Sequence, residues 1–426
     1  MFGYNQLPLI MKKNILTLIL IIFWNVIVVS QNNDIAKSIN ENAFKINDTN
    51  SNIDIENNDE LNSIFENVRI FGFGEATHGT KEFFDLKFKF FKYLVNNQGV
   101  RNFAIEASYG NCLAINNYIK GQENDPKKLL RKIGFWIWNS EEVLALIEWT
   151  KTYNDDKIET DQISFYGIDI MDCSNSAKLI SEFLKENPIE NKANFLEILN
   201  YYTSKSKSEE LKKKALNEHL IKMSELENIV KNSDIESKDF YTKLQNSIIQ
   251  YINFRLDYTQ ETRDRVMSEN INQILISSGS ESKIFVWSHN FHIKKNNITY
   301  TNDLAMGHFL KEKYGDEYYS LGFDFATGEF NAYSIENRKI EIFSITEPMN
   351  NTSSELFNVS NLDYFFLDFN SISAIRILDD YINTKVKYRG IGSTYSPKMI
   401  EKEKLKDAYD GIIFVNNTKA STLLRK

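Results

Sequence analysis

Only two cysteines, Cys112 and Cys173, and five prolines occur in the 426 residues. Two thiols cannot build a disulfide scaffold and match no Cys/His zinc spacing, which leaves two buried thiols or a single bridge. So few prolines, with 17 glycines, exclude collagen-like, low-complexity and intrinsically disordered classes. Positive charge is also scarce: 50 Lys and Arg face 58 Asp and Glu, for a net charge of −8. A duplex-binding protein shows a basic face, so nucleic acid is not an expected partner. Beyond the N-terminus no run is apolar and long enough to span a bilayer, and no stable membrane partner is expected. G-x-S-x-G is absent, neither cysteine lies beside a histidine, and no G-x-G-x-x-G or P-loop spacing occurs. A serine-elbow hydrolase and a nucleotide site are thereby disfavoured, and no internal repeat is seen.

What the chain does have is aromatic core material, with 30 Phe and 21 Tyr. Its N-terminus reads as an address. Lys12 and Lys13 precede an apolar run from Ile15 to Val29, and small residues end at Ser30. This is the layout of a secretory signal peptide over residues 1–30, with Met11 an alternative start. Export to the periplasm or the medium is the expectation. The alternative is an uncleaved anchor, although Asn25 interrupts a run already shorter than the ~20 residues of a spanning helix. Residues 31–60, rich in Asn, Asp and Ser, read as a polar lead-in with room for one short helix.

From residue 61 onward the pattern is that of a single α/β domain. VRIFGFG (Val68 to Gly74), RNFAIEA (Arg101 to Ala107), QISFYGID (Gln162 to Asp169) and KIFVWSH (Lys283 to His289) suit buried strands. YYSLGFDF (Tyr318 to Phe325) and DGIIFV (Asp410 to Val415) are further candidates. Between the first two runs, Phe84, Phe88, Phe91 and Val95 recur at helical spacing over Lys81 to Asn97, with Gly99 as the stop. Strand, helix and strand at this spacing make a βαβ unit with parallel strands and a right-handed crossover. About residues 177–278, Lys, Glu, Leu and Asn dominate and strand signal is weak, which predicts a helical insertion or cap. The expected fold is a central, mainly parallel sheet flanked by helices, with that insertion beside it.

Four of the runs end in polar groups: Glu75 and His78, Glu106, Asp169, and His289. The carboxyl ends of parallel strands lie along one edge, where open α/β sheets bind their ligands. The topology alone therefore predicts that these five residues converge. A neutral histidine takes a proton from water near neutral pH, and a neighbouring carboxylate holds its tautomer and stabilises the imidazolium. Two histidines and two or three carboxylates suffice for general acid/base hydrolysis without a covalent nucleophile. His78 stands out because Gly74 and Gly79 flank it and Glu75 on a strand-to-helix turn. His289 and His292 bracket Asn290 and Phe291, so one of the two is expected to face the site, and His289 is nearer the strand. His308 is read as structural and His219 as solvent-exposed. In ETRDRVMSEN, Arg263, Met267 and Asn270 share a helical face. That face is a salt-bridged surface unless the helix borders the cleft, where Arg263 would bind a carboxylate or stabilise an oxyanion.

GEATHGTKEFF, AIEAS, ETRDRVMSEN and VWSHNFHI, in that order, resemble the erythromycin esterase family, over most of the chain from Val68 to DGIIFV. The resemblance implies an α/β fold with helical additions and hydrolysis of an ester, in the best-known members the lactone of 14-membered macrolides. It implies His78 as the base that activates water, with Glu75, Glu106 and His289 completing the site, and no cofactor. In the resulting expectation Glu75 orients His78 and His289 protonates or stabilises the leaving oxygen. Lys87, Asp169, Arg263 and His292 hold charge or substrate. Macrolide-hydrolysing members place an arginine nine residues after the motif histidine, where this chain has Lys87. Lysine keeps the charge and loses the planar fork.

Two rival readings stay open at this point. Glu75, His78, Glu106 and His289 are also residue types that suit zinc or manganese in a metal-dependent hydrolase. An exported cleft with two histidines also suits capture of a small molecule or haem without catalysis.

Overall fold

The computed structural model describes residues 32–203, 211–298, 301–397 and 400–424. The signal-peptide reading lies outside them.

The strands are β1 (Phe44–Lys45), β2 (Ile70–Phe73), β3 (Asn102–Ser108), β4 (Ser164–Asp169), β5 (Ile284–Trp287), β6 (Tyr318–Ser334), β7 (Lys339–Ile345), β8 (Tyr364–Asp368), β9 (Lys385–Arg389), β10 (Ile400–Lys404) and β11 (Gly411–Thr418). Nine of them form one sheet in the order β1-β8-β11-β6-β2-β5-β3-β4, with β7 hairpinned onto the far half of β6. From β11 to β4 every pairing is parallel, while β1, β7 and β8 pair antiparallel. The fold is α/β with a mostly parallel sheet, as the strand-helix-strand spacing implies. β9 and β10 make a separate two-stranded ribbon.

Both faces of the parallel strands are covered, so their residues alternate between two apolar cores rather than between core and water. Phe71, Phe73, Phe103, Ile105, Phe285 and Trp287 enter one core. Ile70, Ala104, Ile284 and Val286 enter the other. Register aligns the aromatics: Phe103 lies opposite both Phe285 and Phe165. Their rings stack at centroid distances of 5.3 and 5.4 Å. The helix Lys81–Asn97 follows β2 as its spacing predicts and is buried on every side from Glu82 to Val95.

The segment read as a polar lead-in is integral to this burial. A helix over residues 32–42 places Ile35 and Ile39, one turn apart, in the second core. β1 then pairs with β8, and Asp48 and Asp54 come down on the buried Lys89 and Lys92 of the long helix.

The insertion comprises the helices Ser174–Glu186, Lys192–Thr203, Lys213–Lys231 and Lys238–Asp257 around a core of its own. Tyr202 and Tyr251 belong to that core. The next helix, Gln260–Ser278, lies within the stretch that the sequence assigns to the insertion. It packs Met267, Ile271 and Leu275 against the sheet instead, and Tyr258, in the left-handed region at φ 52°, separates it from its predecessor. His219 is half-buried rather than exposed, with Nδ1 2.9 Å from the Tyr202 hydroxyl. His308 is structural: Nδ1 lies 3.3 Å from the Lys295 carbonyl. Cys112 and Cys173 are both buried, and Cys112 is a free thiol. Among the described residues no helix is long and apolar enough to cross a membrane.

Candidate active site

The carboxyl ends of β2, β5, β3 and β4 lie side by side, and Glu75, His289, Glu106 and Asp169 leave from them. His78 follows in the turn after β2. Two glycines make that turn possible. A Cβ on Gly74 would sit 2.1 Å from Asn290 Oδ1, and one on Gly79 2.2 Å from the Asn331 carbonyl oxygen. Asn290 also donates to the Phe323 carbonyl (2.8 Å) and accepts from the Phe323 N–H (3.1 Å), locking the ends of β2, β5 and β6 together. Glu106 occupies a register slip between β3 and β4, where an extra residue re-aims the strand end.

Glu75 is buried and every oxygen is in use. Oε1 lies 2.5 Å from His78 Nδ1; Oε2 accepts from Lys87 Nζ at 2.5 Å and Trp287 Nε1 at 2.8 Å. Burial alone would raise its pKa, but the Lys87 ammonium and His78 overcome that and hold it below the ordinary value. Lys87 is completely buried, with Nζ 4.4 Å from the centre of the Trp287 ring, and burial pulls its pKa down to about 8 against the pull of Glu75. Lysine therefore pairs with Glu75 as a point charge. His78 Nε2 has no hydrogen-bond partner among the described residues, and His78 lines a cavity of about 640 Å³.

Glu106 anchors the opposite wall. It accepts from Arg263 Nη2 (2.8 Å), Ser288 Oγ (2.7 Å) and the His289 N–H (3.0 Å), with His292 Nε2 3.2 Å away. Burial opposes its ionisation, yet His292 and Arg263 hold its pKa well below the carboxylate range. Arg263 also clasps Asp169 with both prongs, at 2.9 and 2.8 Å. Its helix borders the cleft. Met267, on the same face, is buried against the sheet, and Asn270 Nδ2 caps the Ile168 carbonyl at 2.9 Å.

Both His289 and His292 reach the cavity, where one was expected. The helix Asn290–Ile293 starts at His289, so positions three apart share a face. Their states differ. His289 Nε2–H donates to the Ile391 carbonyl (2.7 Å), and Nδ1 accepts the Phe291 N–H (3.1 Å), which describes a neutral ring. Burial and the neighbouring His78, whose ring centre is 4.9 Å away, push its pKa down to about 3. His292 is the reverse: burial opposes its charge, but the Asp264 and Glu106 carboxylates raise its pKa to about 10. Asp264, fully buried, meets His292 Nδ1.

The sequence reading missed Asp264, Trp287, Ser288 and the ribbon residues. A signal for Asp264 existed, because it shares its helix face with Met267 and Ile271, and a carboxylate on an apolar stripe needs a buried partner. Of the predicted insertion, about residues 177–278, only Gln260 and Arg263 line this cavity. Phe135, Ile137, Met171, Phe291 and the segment from Gly390 to Thr394 also line it. As a metal cage the expected quartet fits poorly, since Glu75, Glu106 and His289 have their donor atoms engaged with protein groups.

The neutral His289 has a pH signature. Its folded pKa of about 3 lies below the ordinary value of 6.5, so unfolded chains bind a proton that folded ones refuse. Stability is full above 6.5 and is lost as pH falls toward 3, by up to about 1.4 kcal/mol per pH unit. His292, raised to about 10, has the opposite sign: its contribution is intact below 6.5 and is lost as pH rises through 10. Urea unfolding midpoints should therefore drop between pH 6.5 and 4.5, and drop less in His289→Asn. Parallel slopes would mean that His289 is protonated in the folded protein.

Residues 95–418 match the erythromycin esterase family model. An erythromycin esterase type II of Escherichia coli is 24% identical over 425 residues, spanning 89% of this chain and 96% of that one. YbfO of Bacillus subtilis (strain 168), named as a hydrolase, is 24% identical over 414 residues, 86% of this chain and 87% of its own. A solved structure of a mutant erythromycin esterase, EreC, in its open conformation superposes with a TM-score of 0.64 at 14% identity, covering 86% of this chain and 95% of that chain. Together with the converged His and carboxylate groups, these findings make the protein a hydrolase of the esterase type, and the chain belongs to the erythromycin esterase family.

Proposed function

We propose that the protein opens a carboxylic ester with a water activated by His78, and that the ester is the lactone of a macrolide such as erythromycin. The observation that carries this reading is His78 itself. Nδ1 is held by a buried carboxylate, while Nε2 is unpartnered on a residue that lines the cavity. Nε2 takes a proton from water as the water oxygen bonds to the carbonyl carbon, and Glu75 stabilises the imidazolium formed. Arg263 and protonated His292 line the same cavity and offset the negative charge that develops on the carbonyl oxygen. When the carbon–oxygen bond breaks, His78 returns its proton to the leaving alkoxide, and a lactone becomes a hydroxy acid. His289, with both nitrogens engaged, serves as a neutral wall beside His78 rather than as the proton donor. Lys87 keeps Glu75 ionised, and Asp169 and Glu106 keep Arg263 in place.

The reading includes export, with Lys12, Lys13 and the apolar run from Ile15 to Val29 as the address. Terminal sequencing of the protein recovered outside the cytoplasm should begin near Gln31. Erythromycin incubated with the purified protein should gain the mass of one water at the same rate with and without a chelator. Loss of turnover on chelation would replace the His78 mechanism with a metal-assisted one. No mass gain would remove erythromycin and leave a panel of other esters to test.

A further inference from the structure

The β9–β10 ribbon brings an ionisable side chain to the cavity that the mechanism does not use. β10 reads Ile-Glu-Lys-Glu-Lys, and its acidic residues are the buried ones: Glu401 and Glu403 point inward while Ile400 and Lys402 are exposed. Beneath them the fully buried Lys294 pairs with both, reaching Glu401 Oε2 at 3.5 Å and contacting Glu403. The Tyr388 hydroxyl donates to Glu401 Oε2 and lies 3.2 Å from Glu403 Oε2. Two carboxylates thus share one ammonium.

Glu401 is 6% exposed and lines the catalytic cavity, yet its Oε1 is buried with no hydrogen-bond partner. It lies under Gly390, close enough that a Cβ there would come within 3.0 Å. Such an oxygen is an acceptor without a donor, and buried carboxylates are seldom left so. The rest of the site has the same sign of imbalance. Among the residues lining the cavity Glu106, Asp169 and Glu401 face Arg263 and His292, so carboxylates outnumber cations by one. A ligand with a positive charge and an N–H to donate would answer both features. An anionic ligand would be opposed, and the carboxylate that hydrolysis creates would be expelled.

We propose that Glu401 determines specificity in this cavity, selecting ester substrates that carry a protonated amine; the proposal rests on the ester-hydrolase reading above. The test compares a dimethylaminopropyl ester with its isosteric carbon analogue, in which C–H replaces the protonated nitrogen. Wild-type kcat/KM should favour the amine ester by roughly tenfold or more, the worth of one hydrogen bond to a charged group. In Glu401→Gln that ratio should fall toward one. A purely structural role would lower both rates and leave the ratio untouched. No preference in the wild type, or a preference retained in Glu401→Gln, overturns the proposal. Should circular dichroism show Glu401→Gln unfolded, the ratio is read in Glu401→Asp, which keeps the charge, withdraws the acceptor and should lower the preference in part. Should neither ester turn over, these two esters are removed as substrates of the hydrolase reading. Calorimetric binding of the matched amides, wild type against Glu401→Gln, then decides the role of Glu401 by the same ratio.

Discussion

Replacing His78 by Ala lowers kcat by about 10²- to 10⁴-fold, the range expected when a positioned general base is removed, and leaves the protein folded. The size of the effect follows from the absence of a substitute. His289, the nearest imidazole, has one nitrogen committed to the Ile391 carbonyl and the other to a backbone N–H. His292 is held protonated by Asp264 and Glu106 and cannot act as a base near neutrality. The fold survives because Glu75 is not orphaned: Lys87 and Trp287 still donate to it when the imidazole is gone. Steady-state kinetics on any accepted ester, paired with thermal unfolding of the same variant, separate the two effects. A folded His78→Ala protein with undiminished kcat would end the assignment of His78 as base.

Lys87→Met destabilises the protein by about 3–5 kcal/mol, the usual penalty for removing one member of a buried ion pair. Neither partner has access to water, since Lys87 is 0% and Glu75 1% exposed. Methionine fills most of the volume, so the loss reports the unpaired carboxylate rather than a cavity. Glu75 would then lose the influence that keeps it ionised, and its own burial would raise its pKa. A Glu75 that takes up a proton no longer stabilises the His78 imidazolium, so activity should fall along with stability. Denaturant unfolding of Lys87→Met, with Glu75→Gln added as a second step, checks the cause. If the double variant is no more stable than Lys87→Met, the penalty does not come from an uncompensated Glu75. Lys87→Arg is the informative conservative change. It restores the charge, but its larger planar head must fit beside the Trp287 ring in a site packed for an ammonium.

Sequence was most informative where chemistry and topology coincide. Runs such as VRIFGFG and KIFVWSH are too apolar for a half-exposed strand, so they had to be buried on both faces and parallel. Parallel strands put their polar ends along one edge, which is why Glu75, Glu106, Asp169 and His289 converge. The helix Lys81–Asn97 was legible because its phenylalanines recur at 3.6-residue spacing.

Other features depend on which residues meet across long stretches of chain, and local pattern does not carry that. Glu401 and Glu403 alternate with Ile400 and Lys402 in a way that marks the acidic face for solvent. Lys294, more than a hundred residues earlier, turns that face inward. Asp264 and His292 likewise find each other from different elements. The Ile391 carbonyl that engages His289 Nε2 is a backbone atom, invisible to any side-chain motif. The residue types, the strand ends and the family were determined by the sequence itself. The protonation states of His289 and His292, and the charge balance around Glu401, were decided only by tertiary structure, because burial and neighbouring charge set them.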